Sequence, residues 1–197
     1  MPIYFESDLG SDIVGGLSLA ARLSEGLKTN QSAWKWCVVA VHSTLQSAMI
    51  LVLAGSDGAG AYKEKSQERY RAWIRGELEG SQYPDVRLAG FEQLYKWVKE
   101  PDKTDGKPLK SSTTQDHFIL RLNTRRDNLS HHEELAWLMD IGELKGCILS
   151  AMDAIEQLLR HPRMILSIAL DDAIRNNRCS KLIDAIRQNI SEQPETA

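Results

Sequence analysis

Residues 120–132 read LRLNTRRDNLSHH and residues 143–159 read ELKGCILSAMDAIEQLL. In the second stretch Leu144, Ile148, Ala151, Met152, Ile155 and Leu158 recur at steps of three and four, the period of a helix with one apolar stripe. The reading starts this helix at Ile141, and Pro162 breaks the chain just beyond Leu159. Upstream, Thr113 or Thr114 is expected to cap a helix in which Phe118, Ile119, Leu122 and Leu129 share a face. Two amphipathic helices in succession are expected to pack along each other. Strand-like alternation is absent at any useful length, as are internal repeats and low-complexity segments, so the predicted class is all-α.

The rest of the chain fits that class. Ser11 or Asp12 reads as the start of a first helix carrying Ile13, Leu17, Ala20, Ala21 and Leu27, weakened by Gly15 and Gly16. Asn30 or Ser32 caps a second that reaches Leu53 and stops at Gly55, Gly58 and Gly60. Its apolar residues surround nearly every face, which places it at the centre of a bundle. Residues 62–79 suggest a charged, aromatic outer helix, ended by Gly80 and Pro84. Phe91, Leu94, Tyr95 and Val98 mark another, closed by Pro101. Residues 101–112 are turn-rich and polar, predicting a mobile surface loop. Short helices are expected over residues 164–174 and 181–190, with a frayed tail at 191–197.

The length of 197 residues suits one domain, and 42% apolar with 26% charged residues is ordinary for a folded protein. A net charge of -3 provides no global field for binding phosphates, so any contact with RNA must be local. Cys37, Cys147 and Cys179 are odd in number and far apart, indicating neither a disulfide framework nor a metal site. Residues 1–12 lack the basic start and apolar run of a secretory signal. Residues 34–54 are interrupted by His42, Ser43, Thr44, Gln46 and Ser47, which favours a buried core helix over a membrane span. A reducing cytoplasm is the expected location.

Arg126-Asp127-Asn128-Leu129-Ser130-His131 sets a permanent cation and a titratable imidazole four intervening residues apart. Arginine presents a fork of donors that suits phosphate, whereas histidine exchanges a proton near neutral pH. On an ideal helix, five steps of ~100° turn position 131 roughly 140° from position 126. A shared site therefore needs the helix to unwind near Ser130, or a second chain.

This pattern resembles the HEPN superfamily, helical bundles with an arginine, four to six intervening residues, then a histidine. The resemblance covers roughly residues 30–159 and rests on the amphipathic pair before the motif, on LRLNTRRDNLSHH, and on the long helix after it. It implies a HEPN-like helical bundle with additional C-terminal helices, a single domain over residues 1–190 with its core about 30–160. It also implies a metal-independent endoribonuclease, often a toxin or phage-defence effector, with no metal or cofactor and a site formed where two motif helices meet in a homodimer. Carried over, Arg126 would hold the scissile phosphate and His131 would act as general acid or base. Asp127 takes the polar position after the arginine, and Arg125, Asn128 and His132 are candidates for binding. RNA, a second copy and a neutralising antitoxin are the implied partners, with no membrane. Other members of the family are catalytically silent, so the alternative is a module binding a nucleotide or a protein partner.

Asp127 stands where the family most often has asparagine, and a carboxylate there repels phosphate and partly neutralises Arg126. It could instead fix the tautomer of His131. The adjacent Arg125 and Arg126, and His131 and His132, leave more than one pairing compatible with the spacing. Blander roles compete: the arginines on a solvated face pairing with Glu133 or Glu134, and the histidines ending the helix. His42 reads as a hydrogen-bonded core histidine. Trp34, Trp36, Trp73, Trp97 and Trp137 scatter over several helices and read as core or dimer-interface residues.

Overall fold

The computed structural model of the chain describes residues 8–55, 57–78, 83–131 and 138–194. Among them the ordered elements are helical: α1 (Leu9–Glu25), α2 (Ser32–Ala54), α3 (Glu64–Ile74), α4 (Phe91–Trp97), α5 (Thr113–His131), α6 (Ile141–Leu159), α7 (Ile168–Arg175) and α8 (Arg178–Ser191). Two short 3-10 turns, Pro101–Lys103 and Pro162–Leu166, join them, and a lone antiparallel bridge pairs Tyr62 with Leu88. The chain is all-α.

α2 is the central helix, packed on α1, α4, α5 and α6. By length and composition it could cross a bilayer, and here most of its apolar residues are covered by protein: Cys37, Val38, Val41, Leu45, Ala48, Met49 and Val52 are fully buried. α6 lies along α5 as expected, with Ile148, Met152 and Ile155 fully buried. α1 is covered on its other flank by α7 and α8, whose Leu170 and Ile186 reach zero exposure, so one apolar cluster runs from Ile13 to Ile190. Burying each such side chain is worth about 1.5–3 kcal/mol.

Two close approaches depend on glycine. A β-carbon on Gly16 of α1 would collide with the Thr44 hydroxyl of α2, and one on Gly146 of α6 would overlap the Phe118 ring of α5. Gly16, which weakens α1 when read locally, is thus what lets it seat on α2.

Several local expectations are corrected. α1 begins a turn early because Asp8, rather than Ser11 or Asp12, caps it, its carboxylate accepting the Ser11 N–H at 2.8 Å. α5 is started by Ser112: its hydroxyl accepts the Gln115 N–H at 3.2 Å, while the Gln115 side-chain Oε1 accepts the Ser112 N–H at 2.9 Å. That reciprocal box outcompetes Thr113 and Thr114. The predicted helix at 164–174 gives way to the 3-10 turn after Pro162, and Ser167 caps α7.

The polar loop 101–112 is anchored, not mobile. Thr104 and Leu109 are buried, and the Leu109 N–H donates to the Val98 carbonyl at 2.8 Å. Arg163 clamps it further: Nη1 donates to the Val52 carbonyl at 2.6 Å and the Lys103 carbonyl at 3.2 Å, while Nε and Nη2 grip both Asp105 oxygens. The expected fraying is absent at 191–193, where the Lys145 ammonium takes up the Gln193 carbonyl at 2.8 Å. The tryptophans divide: Trp34 and Trp97 are core residues, Trp36 is 54% exposed, Trp73 lies on a surface helix, and Trp137 falls outside the described residues.

Candidate functional site

α5 presents three kinds of face. Ile119, Leu122 and Leu129 point into the core. His117, Leu120, Thr124 and Asn128 recur at steps of three and four on its exposed side, and position 131 continues that line. Between them lie the charged residues. The helical backbone runs through His131, so the unwinding near Ser130 does not occur, and positions 126 and 131 stay roughly 140° apart around the axis. The side chain of His131, and all of His132, Glu133 and Glu134, fall outside the described residues.

Arg126 turns toward α2. Its Nε–H donates to Nδ1 of His42 at 3.3 Å, and its Nη1 pairs with the Asp127 carboxylate at 2.8 Å. His42 is 1% exposed, and its ring stacks on Phe91 with centroids 4.3 Å apart. Because the guanidinium can only donate, Nδ1 must accept, which leaves the proton on Nε2 to be donated to the Asn123 side-chain oxygen at 3.0 Å. The imidazole is therefore neutral and held in one tautomer. Burial, opposed by the Asn123 bond and reinforced by the Arg126 cation, pushes it down to about 4. His42 is the satisfied core histidine that its surroundings in sequence suggest.

Arg125 turns the other way, toward α6. With Arg121 it grips Glu143: Arg125 Nη2 and Arg121 Nε each lie 2.6 Å from a carboxylate oxygen. These two guanidinium groups hold the Glu143 carboxyl down at about 2. The adjacent arginines thus serve two different helix contacts, while the Glu133 and Glu134 suggested as partners by sequence fall outside the described residues. Their side chains are 19% (Arg125) and 29% (Arg126) exposed. Asp127 pairs with Arg126, and Asn128 is exposed on the outer line.

The structure therefore brings Arg126 and Asp127 together with two residues not put forward as site residues, Asn123 and His42. Asn123 was legible in part, lying three residues before Arg126 and so on the same side of α5. His42 was not, because it is 84 residues away and reaches Arg126 only through the packing of α2 on α5. Chemically, the seam offers one partly exposed guanidinium beside its own counter-ion and a neutral, enclosed imidazole. Among the described residues, no three His, Cys, Asp or Glu side chains are arranged to hold a metal ion. No family model, curated protein or solved structure matches the chain.

Proposed function

We propose that this chain is a non-catalytic HEPN-like helical module that binds a nucleotide or a protein partner, and that its Arg126 seam joins α2 to α5 instead of cleaving RNA. The observation that carries this reading is the engagement of Arg126 by His42 and Asp127. A guanidinium meant for a scissile phosphate needs its donors free and its charge unbalanced, whereas here a carboxylate already faces it. The nearest described imidazole is spent holding Arg126 and Asn123, so it has no proton to exchange near neutral pH.

A metal-independent endoribonuclease, working as a homodimer, is the second reading, favoured by the exposed line of α5. His117, Leu120, Thr124 and Asn128 lead directly to position 131, so two copies meeting along this line would bring their motif helices together. Asp127 is 45% exposed, and an exposed ion pair is worth only about 0.2–1 kcal/mol, little enough for a phosphate to displace it. In that reading Arg126 binds the phosphate and His131 moves the proton. A toxin or defence role, with an antitoxin, belongs to it.

Incubation of the purified chain with mixed RNA in EDTA, alongside Arg126→Ala and His131→Ala, separates the two. Intact RNA in all three supports the module. Cleavage by the wild type that both substitutions abolish establishes the ribonuclease, and light scattering then reads the dimer.

A further inference from the structure

α3 buries none of its residues, yet it anchors a cluster of four aromatic rings. Tyr70 lies 5.4 Å from Tyr62, 5.9 Å from Trp73 and 5.9 Å from Tyr83, and Trp73 lies 5.3 Å from Tyr83. The Tyr62 and Tyr83 hydroxyls are 3.3 Å apart, and Tyr83 is 57% exposed. Single aromatic residues on a surface are unremarkable, but a group of four, with Tyr62, Tyr70 and Trp73 half-buried and Tyr83 exposed, forms a solvent-facing aromatic patch.

At the N-terminal end of the same helix lies an open pocket of about 600 Å³. Lys63, Lys65 and Arg87 line it with Ser66, Gln93 and Trp97, against a single carboxylate, Glu64. Lys63, Lys65 and Arg87 are exposed, and the Arg87 guanidinium stands 3.9 Å from Asp85, with both side chains about three-quarters exposed. A pair that open is weak. Of the cations further along, Arg71 is balanced by Asp57 at 2.7 Å and Arg75, just past the helix, by Glu77 at 2.6 Å, while Arg69 is exposed. Three exposed cations thus gather at the pocket.

Pocket and rings are continuous. Ser66, Tyr70 and Trp73 follow at steps of four and three, on one side of α3. Seven residues of helix cover roughly 10 Å, room for about three bases stacked ~3.4 Å apart. Cations that track phosphates beside rings that receive bases are how proteins hold single strands without reading their sequence.

We propose that the Lys63–Lys65–Arg87 pocket and the Tyr70–Trp73–Tyr83 rings form one surface that binds a short single-stranded nucleic acid, phosphates in the pocket and bases on the rings. This deepens the binding-module reading by naming its ligand, and it stands on α3 and α4 without drawing on the Arg126 seam.

Fluorescence anisotropy with a labelled ten-residue oligouridylate and the full chain tests it. Wild type should bind, more weakly as salt rises. A Lys63→Gln/Lys65→Gln/Arg87→Gln variant should bind more weakly with the slope of log K on log salt reduced by about 2, from ~0.7 per phosphate contact. Trp73→Ala/Tyr83→Ala should lose about tenfold or more with the slope unchanged, and Trp73→Phe/Tyr83→Phe should recover most of that loss. Lys181→Gln, which removes an exposed cation on α8, should bind as wild type, so that the loss is specific to this surface. Circular dichroism confirms that each variant is folded. The proposal is overturned by a wild type that does not bind, by ring and charge variants that bind as wild type, by complete competition with inorganic phosphate, or by an equal loss of binding in Lys181→Gln. RNA cleavage that requires Arg126 would displace the non-catalytic reading and leave this one intact.

Discussion

Replacing His42 by glutamine should flatten the acid sensitivity of the fold. In the unfolded chain the imidazole takes a proton near 6.5, but in the native structure it does so only at about 4, chiefly because it is buried. Between those values the unfolded state binds more protons than the native state, so stability is lost as the pH is lowered. The contribution is complete above pH 6.5, about 2 kcal/mol is lost by pH 5, and about 3 kcal/mol is lost once the pH has dropped below 4. Glu143, held at about 2 against an ordinary 4.5, loses its contribution only below pH 4.5, so the interval from 7 to 5 isolates His42. Urea unfolding followed by circular dichroism at pH 7, 6 and 5 measures the effect. The wild type should lose about 2 kcal/mol more than His42→Gln across that interval. Parallel losses in the two proteins, or a His42 imidazole signal, assigned by its absence from His42→Gln, that titrates above pH 6 in the native wild type, would refute the neutral, enclosed His42.

Two further outcomes probe the packing. Gly146→Ala should destabilise by about 1–3 kcal/mol, because its methyl group meets the Phe118 ring, and Phe118→Leu in the same chain should recover part of that loss in a thermal melt. Arg163→Ala should cost about 1–3 kcal/mol by stranding the Val52 and Lys103 carbonyls, with faster amide exchange over residues 103–109 than elsewhere.

The parts of the fold set by local signals could be read in advance. α6 runs from Ile141 to Leu159, as its apolar period and Pro162 indicated. α5 differs by one residue at its cap because three hydroxyl residues, Ser112, Thr113 and Thr114, offer the same chemistry, and only Ser112 has Gln115 at the right offset. Tyr70 illustrates the opposite case: its helical phase gives no sign that Tyr62 and Tyr83, from segments on either side of α3, gather around it. The site was legible as a set of residues but not as an arrangement. Arg125 and Arg126 are neighbours in the chain, yet α6 claims one and α2 the other, a division decided by where Glu143 and His42 arrive in three dimensions.

The covering of α1 by α7 and α8 ties the order of synthesis to the order of folding. α1 leaves the ribosome early and can meet α2 at once, but its other flank waits for Leu170, Ile183 and Ile186, made some 150 residues later. Until then an apolar strip on the nascent chain faces water, the condition under which unfinished chains associate with one another or are held by chaperones.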